Sequence, residues 1–163
     1  MISLIVAYSD SNRVIGWKGK IPWKIKGEQK RFRDLTTDNV VIMGRKTYEE
    51  LSKPLPNRKT IVISKKHHYN GDDIITLGSL KEALSFCEKN YSDMDVFISG
   101  GVSLYNEAIK FVDKMYITHI HKEVKGDTFF PYFDLKDFDI KIDYDYEPNE
   151  EYTHYIYTRK GGK

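Results

Sequence analysis

Four stretches of the chain are apolar almost without interruption: residues 2–7, 40–43, 60–63 and 96–98. Each is too short for a helix, and each has the texture of a strand covered on both faces, as strands of a parallel sheet are. Residues 74–77 form a fifth, weaker example. Between these runs the apolar positions fall at helical spacing. Residues 26–36 and 45–51 predict two helices, the second stopped by Pro54 and Pro56. Residues 79–89 predict a third, capped by Ser79 with Glu82 three residues on, and with Leu80, Ala83, Leu84 and Cys87 on one face. Residues 102–111 predict a fourth, after a Gly-Gly pair. Strands alternating with helices imply crossover connections and a mainly parallel sheet. The last third changes character. Residues 114–121, 138–145 and 152–159 are longer, alternating and rich in Tyr and Ile, with Pro148-Asn149 as a turn between the last two. The pattern predicts a single α/β domain over residues 1–160. It has about eight strands, an antiparallel C-terminal hairpin and about four helices, followed by a flexible tail at 161–163.

Composition narrows this little. A chain of 163 residues with 40% hydrophobic residues buries a core without staples. One cysteine excludes an internal disulfide framework and a cysteine-based zinc site, and suits a reducing compartment. The N-terminus lacks a basic leader and no stretch is apolar enough to span a bilayer, so the expected location is the cytoplasm, as a monomer. The 26 Lys and Arg against 24 Asp and Glu give a net charge of +2, no global drive toward nucleic acid.

The distribution of charge is more telling. Residues 17–33 carry seven cations and a single acid, Glu28; residues 137–151 carry seven acids and one cation. The acidic run reads as a solvated hairpin. On a helix wheel Phe32 and Leu35 lie within about 40° of Glu28, whereas Lys26, Lys30 and Arg33 point to water. Glu28 is then either an acid favouring a helix dipole or a buried carboxylate awaiting a cationic or amidine-like ligand.

Three loops follow predicted parallel strands: Gly44-Arg45-Lys46-Thr47, Ser64-Lys65-Lys66 and Ser99-Gly100-Gly101. The carboxyl ends of such strands are where open α/β sheets bind ligands, and two basic clusters with a Gly-Gly turn before a helix suit a polyphosphate. Taken singly, each is an ordinary turn or a solvated basic loop. Neither the dinucleotide fingerprint G-x-G-x-x-G nor a P-loop occurs. Cys87 reads as core filler, His67 and His68 as solvated, and His119 and His121 as a pair without a third metal ligand.

In order along the chain stand Met1 to Ala7, Asn12-Arg13-Val14-Ile15-Gly16, Ile21-Pro22-Trp23, Glu28 with Phe32, and Val41 to Tyr48. Pro54 to Lys59, Gly100-Gly101 with Tyr105, Tyr116-Ile117-Thr118, and Gly126-Asp127-Thr128 ahead of Phe130-Pro131 follow. In this order and spacing the sequence resembles the dihydrofolate reductase family over essentially its whole length. The resemblance implies reduction of 7,8-dihydrofolate to tetrahydrofolate by hydride from NADPH, in support of one-carbon metabolism and of thymidylate and purine synthesis. It implies binding of antifolates, and no metal, nucleic acid or membrane. Glu28, Trp23 and Thr118 would serve catalysis: Glu28 clamps the pterin, Thr118 hydrogen-bonds that carboxylate, and Trp23 holds a water. Substrate would also meet Ile5, Val6, Ala7, Gln29, Phe32, Leu51, Leu55, Ser99 and, through its tail carboxylate, Arg58. The cofactor would meet Ala7, Ile15, Gly16, Gly44, Arg45, Lys46, Thr47, Ile63, Ser64, Lys65, Ser99, Gly100, Gly101, Val102, Ser103, Leu104 and Tyr105. Arg45, Ser64 and Lys65 would take the 2′-phosphate.

The Gly100–Gly101 peptide is expected cis, and residues 9–23 match a mobile loop over the site. Gln29, Lys26-Gly27 and Ser99 depart from the family's usual residues. Two alternatives share the fold. One is an NADPH-dependent pyrimidine reductase of riboflavin synthesis, which would lack the Trp23–Glu28–Phe32 set. The other is a nucleotide-binding module without chemistry, which would have a disrupted acid or glycine pair.

Overall fold

The structure, a computed structural model, describes residues 1–25, 27–51 and 55–161. Lys26, Pro54, Gly162 and Lys163, on which parts of the helix, motif and tail expectations rest, lie outside them. In chain order the elements are strands β1 (Ile2–Ser9) and β2 (Val14–Gly16), helix α1 (Lys30–Thr36), β3 (Val40–Gly44), α2 (Arg45–Glu49), β4 (Lys59–Ile63) and β5 (Ile74–Leu77). Then come α3 (Leu80–Asn90), β6 (Val96–Ile98), α4 (Val102–Ala108), β7 (Lys114–Ile120) and β8 (Thr128–Phe129). A short 3-10 turn at Leu135–Asp137, β9 (Phe138–Ile142) and β10 (Tyr152–Arg159) complete the chain.

One eight-stranded sheet runs β5-β4-β3-β6-β1-β7-β10-β9. Its first six strands pair in parallel and its last three in antiparallel fashion, β7 belonging to both parts. The continuous apolar runs are the central strands because helices or loops cover both their faces: Val40 to Met43, Ile61, Val62 and Val96 to Ile98 are all buried. Helix α3 begins as its capping residues dictate, with Ser79 Oγ accepting the Glu82 N–H at 3.1 Å.

Three features depart from the sequence expectations. A two-stranded ribbon, β2 with β8, was too short to predict. Gly126 just before it lies so close to Val14 that a Cβ would collide with the valine side chain, which explains the Gly-Asp-Thr motif sterically. Second, α1 starts at Lys30, not at residue 26. Gly27 takes φ +86°, a left-handed conformation that breaks a helix, and its carbonyl accepts the Lys30 N–H at 3.3 Å in a turn. Glu28 therefore sits in that turn and not on a helix face.

Third, neither charged run is wholly solvated. Arg31 is 1% exposed. Its Nε lies 3.1 Å from Asp143 Oδ2, its Nη2 donates to the Tyr155 carbonyl at 2.8 Å, and its guanidinium stacks over Tyr116. Asp143 belongs to the acidic run, which thus folds back on α1. Tyr146 Oη adds a second tie, donating to Asp34 at 2.8 Å.

Candidate active site

β1, β3, β4 and β6 are adjacent and parallel, so their carboxyl ends form one edge. The chain leaves β1 for β3 on one side and later returns through β6, which inserts between them, the strand-order reversal at which open sheets form a crevice. At that edge Gly44 N–H donates to the Gly100 carbonyl at 2.8 Å, and Ser99 N–H to the Ile42 carbonyl at 2.9 Å. The Gly100–Gly101 peptide is cis, as expected. Thr47 Oγ1 stands 3.6 Å from where a Cβ on either glycine would be, an ordinary contact distance, and it is the φ of +113° at Gly100 that disfavours a side chain there.

Of the expected cofactor residues, Gly44 to Thr47, Ile63 to Lys65 and Ser99 to Tyr105 lie at or just beyond these strand ends, whereas Ile15 and Gly16 belong to the β2–β8 ribbon. Lys46 and Lys65 are exposed at the ends of β3 and β4. Arg45 lies beside them but pairs with Glu49 at 2.9 Å, and Ser64 Oγ accepts the His67 N–H at 3.1 Å. Ser64 N–H also donates to the Leu77 carbonyl, and from Leu77 and Ser79 an open cleft of about 410 Å³ continues along α3, a surface the sequence did not single out. Val6, Leu104 and Tyr105 lie in the core. Tyr105 Oη donates to the Ile5 carbonyl at 2.8 Å, so it braces β1 against α4 from below the glycine pair.

Separately, Ile21, Trp23, Lys24, Ile25, Glu28 and Gln29 line an open cleft of about 440 Å³. Glu28 makes no hydrogen bond or ion pair to the described residues, and burial pushes its carboxyl up to about 7. Glu28 itself is half-buried, whereas Trp23 Nε1 is fully buried and without a partner among the described residues. Buried polar groups in folded proteins are paired, so an orphan donor and an orphan acid in one cleft call for a ligand with complementary groups. Among the described residues the other buried side-chain atoms without a hydrogen-bond partner are Ser99 Oγ, at the central edge, and Arg31 Nε and Nη1, beside Asp143. Arg58 is buried against α1. Its Nε donates to the Pro56 carbonyl at 3.0 Å, its Nη1 to Thr36 Oγ1 at 3.2 Å, and its guanidinium faces the Phe32 ring.

The structure does not bring Thr118 onto Glu28. The Thr118 hydroxyl instead contacts His154 Nδ1 at 2.6 Å. His154 is a buried residue of β10 that the sequence did not single out. His119 and His121 both bond the Asp10 carboxylate, where β1 hands over to the loop toward β2. That loop is tied down at its far end: Lys18 N–H donates to Asp127 Oδ2 at 3.0 Å and Asp127 N–H to the Gly16 carbonyl at 2.9 Å.

Comparison with known proteins agrees with this geometry. The family model for dihydrofolate reductase matches residues 1–160. A type A13 dihydrofolate reductase of Escherichia coli is 35% identical over 97% of this chain and 94% of its own length. The dihydrofolate reductase of Bacillus subtilis is 36% identical over 90% of this chain and 91% of its own. The solved structure of the Enterococcus faecalis dihydrofolate reductase, complexed with NADP(H) and RAB-propyl, superposes with a TM-score of 0.80 at 31% identity, covering 98% of this chain and 96% of that one. With the sequence motifs, the strand-edge crevice and the orphan acid in its cleft, these relatives establish that the chain belongs to the dihydrofolate reductase family.

Proposed function

We propose that the protein reduces 7,8-dihydrofolate to 5,6,7,8-tetrahydrofolate with NADPH, and that Glu28 is the acid that holds the pterin. The observation that carries the reading is Glu28 itself: a desolvated carboxylate with no partner among the described residues, in a cleft shared with the unpaired Trp23 indole. A pterin offers such a carboxylate a ring N–H and an exocyclic amino group side by side, a two-point, charge-assisted match. The pyrimidine-reductase alternative lacks the Trp23–Glu28–Phe32 set, and a non-catalytic module has no need of a costly desolvated acid.

The residues at the strand edge fit the dinucleotide. Lys46 and Lys65 present exposed cations, Thr47 a hydroxyl beside Gly100 and Gly101, and the side-chain-free Gly44–Gly100–Gly101 surface admits close approach of phosphates. Arg45 would reach the 2′-phosphate by exchanging Glu49 for it. When bound, NADPH supplies the hydride. The chain's own residues hold and exclude. Phe32 and Leu55 would sandwich the benzoyl ring, with Ile5 and Leu51 nearby, and the buried Arg58 would clamp the tail carboxylate. Arg58 is pre-set for that task because Pro56 and Thr36 fix its plane. Glu28 polarises the pterin and fixes its orientation, and a water beside Trp23 delivers the proton to the ring nitrogen. The strap from Asp10 to Lys20, held by Asp127, is placed to shield the site from bulk water.

The test is an assay of NADPH oxidation with purified protein. The reading predicts turnover that depends on dihydrofolate and is largely lost in Glu28→Gln at neutral pH. Absence of turnover with dihydrofolate overturns the activity, and full turnover in Glu28→Gln overturns the role of Glu28.

A further inference from the structure

The corner where β3 and β4 end holds more than the expected phosphate residues. Gly44 and Ile63 are register partners, so Arg45 and Ser64, the next residue of each strand, follow side by side. Lys65, Lys66 and His67 come after Ser64 and are exposed. An acid is set among these groups. Glu49, four residues along α2, accepts from Arg45 Nη1 at 2.9 Å through Oε1 and from the Tyr69 hydroxyl through Oε2. Tyr69 comes from the β4–β5 loop and is fixed there. Its N–H donates to Thr76 Oγ1 at 2.7 Å, the Thr76 hydroxyl donates to its carbonyl at 2.9 Å, and its ring meets that of Tyr48 at 4.9 Å. The Tyr69 hydroxyl, ahead of Arg45 and His67 and against partial burial, holds the Glu49 carboxyl below its usual range.

This arrangement sets two ligands against each other. An arginine fork pairs with a phosphate through parallel hydrogen bonds, whereas a carboxylate at the ribose is the usual partner of a free 2′-hydroxyl. In the free protein the fork is already engaged by Glu49. A cofactor with a 2′-phosphate has to break that pair to reach Arg45, and a cofactor with a 2′-hydroxyl breaks nothing. The pair can open at modest cost, because it is exposed and spans four residues of one helix. Tyr69 keeps Glu49 in place and hydrogen-bonded once Arg45 has left.

We propose that Glu49 is a specificity-determining residue for the cofactor: it occupies the Arg45 guanidinium in the free protein and thereby narrows the preference for NADPH over NADH. The proposal rests on the reading of Arg45, Ser64 and Lys65 as the 2′-phosphate residues. It gives a role to an acid that is hydrogen-bonded on both oxygens beside a row of cations.

The experiment is a calorimetric titration of the folate-free protein with NADP+ and with NAD+, which differ only in the 2′-phosphate. Wild-type protein is expected to bind NADP+ the more tightly. Glu49→Gln keeps the shape of the side chain and removes its charge. It lowers the Kd for NADP+ by about fivefold, the upper range of what an exposed ion pair contributes, and leaves that for NAD+ within about twofold. In the Arg45→Gln background Glu49→Gln no longer tightens NADP+, because there is no guanidinium to release. An unchanged Kd for NADP+ in Glu49→Gln overturns the proposal, and so does equal tightening of both cofactors. Persistence of the gain without Arg45 overturns it too, since Glu49 would then act by plain repulsion. Wild-type protein that binds NADP+ no more tightly than NAD+ fails the 2′-phosphate reading and takes the proposal with it, whereas a wild-type preference that Glu49→Gln leaves unmoved fails the proposal alone.

Discussion

Arg31 and Glu28 lie three residues apart, in a stretch that is otherwise basic and wet, and both are taken out of water. Arg31 is covered almost completely, yet it has an ion pair with Asp143 and a hydrogen bond to the Tyr155 carbonyl. Glu28 is less covered and has no partner among the described residues. Desolvating a charge is expensive unless a partner compensates it. The chain supplies that partner for the cation, which locks α1 to the C-terminal strands. For the acid it supplies none, and the natural candidate is the substrate. One desolvated charge builds the scaffold; the other, on the proposed function, is kept for the substrate.

Breaking the paired charge gives the largest effect. Asp143→Ala strands the Arg31 guanidinium and is expected to cost about 3–5 kcal/mol in denaturant unfolding. Replacing both partners, Arg31→Met with Asp143→Leu, costs much less than either single change. A double variant no better than Asp143→Ala would mean that the pair contributes as a pair no more than its separate packing.

Breaking the unpaired charge acts in the opposite sense on stability. Glu28→Gln lowers kcat/KM for dihydrofolate by at least about 100-fold, the scale of losing a charge-assisted two-point hydrogen bond, while it stabilises the fold. Because the folded carboxyl titrates near 7 and an unfolded one near 4.5, the native state binds the extra proton between those values and wild-type stability falls as pH rises through them. The gain from Glu28→Gln is on the order of 1–2 kcal/mol at pH 8 and vanishes by pH 4. Melting curves at the two pH values read it, and a destabilised variant at pH 8 contradicts the idea that the acid is uncompensated.

Smaller effects sharpen the ligand side. Arg58→Lys retains the charge but loses the fork, so the KM for dihydrofolate rises by roughly tenfold or more with little change in kcat. Lys65→Glu raises the KM for NADPH by about tenfold while leaving that for NADH nearly unchanged, as the loss of a single phosphate contact requires. Equal effects on the two cofactors would remove Lys65 from the 2′-phosphate site.

The central strands were legible because burial on both faces leaves a signature within one segment: a short run with no polar alternation. The Ser79 cap of α3 is equally local. What escaped were relations between segments. Nothing near Arg31 announces Asp143, or near Thr118 announces His154, since each contact depends on the register of strands far along the chain. The helix wheel misplaced Glu28 because it assumes helical dihedrals through Gly27, and a single residue at φ +86° removes that assumption. The acid was still found, because a lone carboxylate among seven cations, next to Phe32, keeps its oddity in a turn or on a helix. The glycine pair and the basic loops were visible as positions after strands, but their convergence on one edge follows from the sheet order alone.

The most direct test of the contrast between the two desolvated charges is the pH dependence of the Glu28 carboxyl with and without ligand. In the substrate-free protein its carbon-13 titration should centre near 7, and saturation with dihydrofolate and oxidised cofactor should move it well below that as the pterin supplies the missing partner. A midpoint near 4.5 in the free protein, or one that saturating dihydrofolate leaves in place, would contradict the claim that Glu28 is desolvated without a partner and completed by substrate.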